Sequence, residues 1–178
     1  PPQDMLAFIG DMRRWGEIGM IPALNARRYP NRAAVVDDDG EMTFKELDDA
    51  SHAVAIALLA KGVKGGEGVA ILARNHRWFL VSVYAAARVG ARIILLNSEF
   101  SGPQIKEVSE REGARIIIHD DEYTAAVAQA EPELGKLRAL GVNPDSDVPS
   151  GCTDETLAEL IARTDARPAP KVTKNASI

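Results

Sequence analysis

Gly68-Val69-Ala70-Ile71-Leu72, Gly90-Ala91-Arg92-Ile93-Ile94 and Gly113-Ala114-Arg115-Ile116-Ile117 open three apolar runs, spaced 22 and 23 residues apart. Strands are read over 69–73, 91–96 and 116–118. A period of about 23 residues leaves about five for a strand, about twelve for a helix and the rest for turns. Those are the dimensions of a βαβ crossover. The runs are near-continuously apolar instead of alternating, as in strands covered by helices on both faces. Between them, residues 77–88 place Trp78, Val81, Ser82 and Ala85 on one helical face, and residues 101–112 bury Ile105 and Val108. The predicted class is α/β: a parallel, doubly wound β-α-β-α-β sheet flanked by helices.

Outward from this centre, residues 4–29 read as two helical pieces. Met5, Leu6, Ile9 and Met12 share one face, Gly16 and Gly19 interrupt it, and Pro22 opens a second helix over 22–28. A hairpin follows: 33–36, a turn at Asp37-Asp38-Asp39-Gly40, and 41–43. The three aspartates do not make an EF-hand. With Gly40 at the sixth loop position, Val35 would stand at the first, where a carboxylate is required. Thr43-Phe44-Lys45-Glu46 is a capping box, opening a helix with Leu47, Ala50, Val54 and Leu58 in one stripe and Gly62 as its C-cap. Beyond residue 120 the expected elements are a helix over 122–130, a short strand over 137–142, a polar loop over 143–150, a last helix from Thr153 to about residue 163, and an extended linker over 167–171.

The chain has 178 residues and a net charge of −5, from 21 basic and 26 acidic residues. A nucleic-acid partner is not expected, because neutralising phosphates needs clustered Lys and Arg. The single cysteine, Cys152, excludes an internal disulfide and fits a reducing cytosol. No apolar run approaches the ~20 residues of a membrane span, so the expectation is a cytoplasmic protein. Arg13, Arg14, Arg27 and Arg28 make the N-terminal region locally basic, which leaves room for weak peripheral contact with an anionic membrane.

Candidate chemistry is sparse. There is no phosphate loop of the G-x-x-x-x-G-K-[ST] type and no G-x-S-x-G elbow. The glycines over 62–68 precede a strand instead of following one, so they read as a turn. His52, His76 and His119 lack metal-ligand spacing. His76 and His119 do fall at the carboxyl ends of predicted parallel strands, the edge at which open α/β sheets take ligands. Arg74 and Asn75 share that edge, as do Asn97 and Ser98.

Taken together, 20–120 resembles the adenylate-forming (AMP-binding) acyl-CoA synthetase superfamily, and within it the fatty-acid–CoA ligases. The carrying stretches are Tyr29-Pro30-Asn31-Arg32-Ala33-Ala34-Val35, then Met42-Thr43-Phe44-Lys45-Glu46-Leu47-Asp48 against "T-[YF]-x-E-L". Next are residues 62–72 against "G-V-x-x-G-D-x-V-A-I-L", and Gly90-Ala91 with Leu95-Leu96-Asn97 against "G-A-x-x-x-P-L-N". Arg74-Asn75-His76 stands where the family often has Pro-Asn-Ser. Glu67 replaces the usual Asp, and Leu95 the usual Pro.

The resemblance implies the N-terminal part of an acyl-CoA synthetase large domain. It also implies an enzyme that uses ATP and Mg²⁺ to make an acyl-adenylate and passes the acyl group to coenzyme A. The family's Ser/Thr/Gly-rich phosphate loop, adenine motif, ribose-binding Asp and catalytic Lys match no stretch here. No catalytic residue is therefore expected in this span, nor tight cofactor binding by it. The expected substrate-binding positions are Asn97, Ser98 and Phe100, with Arg74, Asn75 and His76 second, lining an acyl and pantetheine channel for fatty acid and coenzyme A. The expected organisation is a helical segment over 1–30, an α/β subdomain over 31–164 and a linker over 165–178. The rest of the same polypeptide is the expected partner, and a homodimer would cover the sheet edge that a truncated domain exposes. The alternative is a free-standing α/β ligand-binding or protein-interaction module without catalysis.

Overall fold

The computed structural model describes residues 2–139 and 152–162, with side chains from Met5 onward. Helix α1 (Pro2–Gly19) is bent at Gly16, whose φ of 70° is open to glycine at little cost. Helix α2 (Ile21–Arg28) has its proline in the first turn, as expected. Strands β1 (Ala33–Asp37) and β2 (Gly40–Thr43) pair antiparallel as the hairpin. Helix α3 (Phe44–Lys61) starts at the Thr43 capping box. The Glu46 amide donates to Thr43 Oγ1 at 3.2 Å, and the Thr43 amide donates back to Glu46 Oε2 at 2.7 Å. Gly62, at φ 106°, closes α3 in the left-handed region.

The central sheet is parallel throughout. Strand β3 (Gly68–Leu72) pairs on one side with β4 (Arg92–Leu95) and on the other with β5 (Ala114–His119). Strands β6 (Lys136–Arg138) and β7 (Glu155–Thr156) extend it to the order β4-β3-β5-β6-β7. Helix α4 (Arg77–Arg88) links β3 to β4, and α5 (Gly102–Arg111) links β4 to β5. Alternate strand residues face two separate cores. Val69, Ile71, Ile93, Ile116 and Ile118 pack with Val54 and Leu58 of α3 and Val81 and Ala85 of α4. Ala70, Leu72, Ile94 and Ile117 pack with Ile105 of α5. The sheet is therefore doubly wound, as its uninterrupted apolar strands require. Each fully buried Ile or Leu contributes roughly 2 kcal/mol relative to exposure.

Gly68 opens β3 for a steric reason. A Cβ there would lie 2.7 Å from the Gly113 carbonyl oxygen and 2.9 Å from Ile94 Cδ1. Only the missing side chain lets β3 start that close to β5, and the pairing register slips between Gly68 and Val69 at the same point.

Past β5 the structure departs from the sequence expectation. The single helix over 122–130 is instead a 3₁₀ turn (Asp121–Tyr123) followed by a one-turn helix α6 (Thr124–Val127). The strand expected over 137–142 is β6, ending at Arg138, and residues 140–142 lie outside the described residues. The last helix, α7 (Leu157–Ala162), starts four residues later than expected, behind β7. A further capping box sets that start. The Glu159 amide donates to Thr156 Oγ1 at 3.1 Å, and the Thr156 amide to Glu159 Oε2 at 2.8 Å. Thr153 resembles an N-cap by residue type alone, whereas Thr156 has its Glu three positions on. The polar loop over 143–150 and the linker over 165–178 also lie outside the described residues.

Asp37 is the most structural of the three turn aspartates. Its carboxylate accepts the Arg77 amide at 2.9 Å and the Arg77 guanidinium at 2.5 to 3.0 Å, and Arg77 also donates to the Gly40 carbonyl at 2.8 Å. The hairpin is thereby pinned to the first turn of α4. The Arg77 side-chain bonds pull the Asp37 carboxyl down to about 2 from its ordinary 3.8. A carboxyl depressed by folding stabilises the fold above its unfolded value and loses that contribution as pH falls through the folded one. Asp37 should thus supply roughly 2 kcal/mol above about pH 4, vanishing near pH 2. In urea titrations, Asp37→Asn should lower the midpoint at neutral pH, and the gap to the parent chain should close between about pH 4 and 2. Parallel curves across that window would refute this role.

Candidate functional site

The chain steps from β3 out to β4, then crosses back over β3 to β5. Strand order reverses there, so the carboxyl ends of β3 and β5 flank a topological switch point, the usual ligand crevice of open α/β sheets. Three loops meet at this edge: 73–76 after β3, 96–100 after β4 and 120–123 after β5.

Asp120 ties two of them together. Its amide donates to the Leu72 carbonyl at 3.0 Å, and its carboxylate accepts the Arg74 amide at 2.8 Å. Both of its oxygens lie 2.9 Å from His76 Nε2. His76 caps α4, because its Nδ1 accepts the Trp78 amide at 3.1 Å. The ring proton therefore sits on Nε2 and points at Asp120. His76 and Asp120 are both buried.

At the surface above them, the Arg74 guanidinium donates to both oxygens of Glu122, at 2.5 and 2.7 Å. That pair raises Arg74 above the ordinary arginine value and lowers the Glu122 carboxyl. Burial pushes the Tyr123 phenol up. The loop over 120–123 is thus joined to the loop over 73–76.

The six predicted positions separate into two kinds. Asn75, Asn97 and Ser98 are exposed on the edge and open to a ligand. Asn97 holds its own turn, its Oδ1 accepting the Glu99 amide at 2.9 Å. Phe100 is half-buried against the core beneath α5. Arg74 is exposed but engaged by Glu122, and His76 is buried as a strut. Sequence reasoning passed over Asp120, Glu122 and Tyr123. The available signal was a carboxylate directly after an apolar strand on the ligand edge.

His119 ends β5 fully buried. Its Nδ1 donates to the Asp120 carbonyl at 2.9 Å, and Nε2 lies 3.4 Å from Asp154 Oδ2. Burial lowers its pKa below the ordinary imidazole value. Among the described residues no three His, Cys, Asp or Glu side chains are grouped to hold a metal ion. Arg74, exposed at this edge, is engaged by Glu122.

Known proteins agree with this architecture. The sequence model of one family, described as AMP-binding enzyme, matches residues 23–177. A feruloyl-CoA synthase from Amycolatopsis is 30% identical over 163 residues, covering 88% of this chain and 33% of that protein. Nonribosomal peptide synthetase 1 of Ajellomyces capsulatus is 31% identical over 116 residues, 65% of this chain and 6% of that protein. Among solved structures, Mycobacterium tuberculosis fatty acyl CoA synthetase superposes with a TM-score of 0.67 at 22% identity, over 89% of this chain and 30% of that one. The anthranilate CoA ligase AuaEII, in complex with anthranoyl-AMP, gives 0.71 at 20% identity, over 94% and 31%. The chain spans about a third of the feruloyl-CoA synthase and of both superposed ligases. With the family's sequence pattern running through nearly the whole fold just described, the chain belongs to the AMP-binding enzyme family.

Proposed function

We propose that these residues are the opening portion of an AMP-forming fatty-acid–CoA ligase, and that they act as a wall of its acyl and pantetheine channel. In that reaction a carboxylate oxygen attacks the α-phosphorus of ATP and pyrophosphate leaves. The coenzyme A thiol then attacks the acyl carbon and AMP leaves. The observation that carries the reading is the ligand edge: the exposed polar positions Asn75, Asn97 and Ser98 stand on the carboxyl edge of the sheet beside the switch point, with no catalytic group among them. A fixed, non-reacting surface positions a substrate whose chemistry is performed elsewhere. ATP, Mg²⁺ and coenzyme A are then held chiefly by the remainder of the polypeptide. The domain assignment follows suit: 31–164 as subdomain, 1–30 as a helical preface, and 165–178 as the passage toward the nucleotide site. A second acid class is favoured by one finding, the 30% identity to a feruloyl-CoA synthase, which supports an aromatic acid.

The 178-residue chain alone should show no acid-dependent exchange between ATP and labelled pyrophosphate, whereas the complete polypeptide should exchange with a fatty acid. Exchange by the isolated chain would overturn the assignment of a non-catalytic wall. Exchange by the complete polypeptide with ferulate but not palmitate would replace the fatty acid with the aromatic one. Exchange with neither, alongside specific ligand binding by the isolated chain, would favour the free-standing module.

A further inference from the structure

Helix α1 is fastened to the body around one indole ring. Trp15 is 6% exposed and packs with Ala23 of α2 and Ile56 of α3, with Met20 and Leu59 at the margin. This small cluster is separate from the two cores beside the sheet. Among the described residues, Ile18 is the one apolar side chain of α1 that packs against the larger core. Elements held by so little apolar burial open before the rest of a domain does.

Three basic side chains surround that indole. The Arg14 guanidinium lies 4.5 Å from the ring centroid and the Arg88 guanidinium 4.9 Å from it. The His52 ring, on α3, meets the indole edge-to-face, with centroids 5.4 Å apart and planes at 85°. An aromatic face attracts a cation, but two guanidiniums already share this one. A proton on His52 adds a third positive charge around the same ring.

The carboxylates within reach of His52 are engaged. Asp48 and Asp49 stand one turn before it on α3. Asp48 accepts from Arg88 Nη2, and Asp49 accepts from Lys45 Nζ at 2.6 Å. On α1, Arg13 and Glu17 are exposed. On α2, which also packs on α3, Arg27 pairs with Asp11 and Arg28 lies 5.4 Å from the Tyr29 ring centroid. His52 itself is half-buried. Burial, then the Arg88 and Arg14 charges, hold its pKa below the ordinary 6.5, and Asp48 and Asp49 oppose that shift without reversing it. For a histidine depressed by folding, the docked state keeps its full stability above the unfolded value. It weakens as pH falls through that value, because the released ring takes the proton more readily.

We propose that His52, Trp15, Arg14 and Arg88 form a proton-operated joint: a proton taken from solvent by the His52 imidazole loosens α1 from α3 and α4 while the parallel sheet stays folded. The joint stands apart from the ligand edge and does not depend on which acid the ligase takes.

Amide exchange of the 178-residue chain tests this, read at about pH 7.5 and about pH 5.5 and corrected for the intrinsic rate at each pH. Residues 12–19 should exchange several-fold faster at the lower pH after that correction, with the amides of β3 and β5 unchanged. His52→Gln cannot take up the proton and should keep the same protection at both pH values. Arg14→Gln keeps the imidazole and removes one charge that repels its proton. It should move the His52 titration upward, followed by the chemical shift of the ring protons, and shrink the exchange difference. A difference that persists in His52→Gln would place the titration on another group and overturn the joint. So would equal protection of α1 at both pH values, loosening of β3 and β5 together with α1, or a His52 titration that Arg14→Gln leaves unmoved. The parent chain gives a test that needs no variant: His52 titrating at or above the ordinary imidazole value would overturn the proposal as well.

Discussion

Replacing Arg88 with methionine should cost the chain about 3 kcal/mol, on the order of 10 °C in melting temperature for a domain of this size. Arg88 is 1% exposed, the largest of the fully buried side chains. Its Nε donates to the Gly19 carbonyl at 3.0 Å, its Nη1 to the Asp48 carbonyl at 3.0 Å, and its Nη2 to the Asp48 carboxylate. One guanidinium thus joins the end of α1 to α3 and α4. Methionine keeps the apolar stem and leaves two carbonyls without their donor. The cost stays near the lower end for a broken buried pair, because the Asp48 side chain, 27% exposed, recovers water. Burial already lowers the Arg88 pKa, so part of the gain from its bonds is spent on desolvation. Arg88→Lys should recover less than half, since an ammonium cannot reach three acceptors in the plane of a guanidinium. Urea unfolding followed by tryptophan fluorescence reads Trp15, against which Arg88 packs, together with Trp78. A methionine variant as stable as the parent would show that desolvation cancels the three bonds.

Arg88 also marks a limit of what a sequence displays. It ends a predicted helix, where a cation commonly meets the last carbonyls from solvent. Nothing in its neighbours announces that Gly19, 69 positions earlier, will lie against it. A Cβ on Gly19 would come within 3.0 Å of Arg88 Cγ, so the glycine that reads as a helix break is also the space the arginine needs. Features written within a few residues were legible: the three apolar strands, the Thr43–Glu46 capping box and the Gly62 cap. The sheet's parallel, two-sided winding followed from composition, because strands without polar alternation need cover on both faces. Interactions of long sequence separation were not legible. Asp37 looked like turn chemistry and proved to hold Arg77, 40 residues on. At the ligand edge, His76 was picked out by position, but its partner Asp120 was not. The Thr156–Glu159 box was missed although it is local, because a nearer threonine had the right residue type without the glutamate.

The second large effect belongs to Asp120. Asp120→Ala should lower stability by about 3 kcal/mol, because two donors at the buried end of the sheet lose their acceptor, each costing roughly 1–3 kcal/mol. Those donors are the Arg74 amide and His76 Nε2. The loss should be local before it is global. Amide exchange should quicken over 73–78, where the Arg74 amide is freed and the His76 cap on Trp78 loosens, while the hairpin amides over 33–43 keep their protection. Asp120→Asn discriminates between charge and geometry. Its single oxygen can serve one donor, but its NH₂ then faces the other donor, so it should rescue less than half of the loss. A purely structural aspartate would leave the exposed pair above it untouched. Here the Arg74–Glu122 bridge stands on the same two loops, so its geometry depends on Asp120 as well. The bridge itself is exposed and screened by water, so Glu122→Gln should barely move the melting point. Comparable losses from Asp120→Ala and Glu122→Gln would show that the edge is held by its surface. A large loss from the first alone would place the support of the ligand edge in the buried carboxylate between β3 and β5.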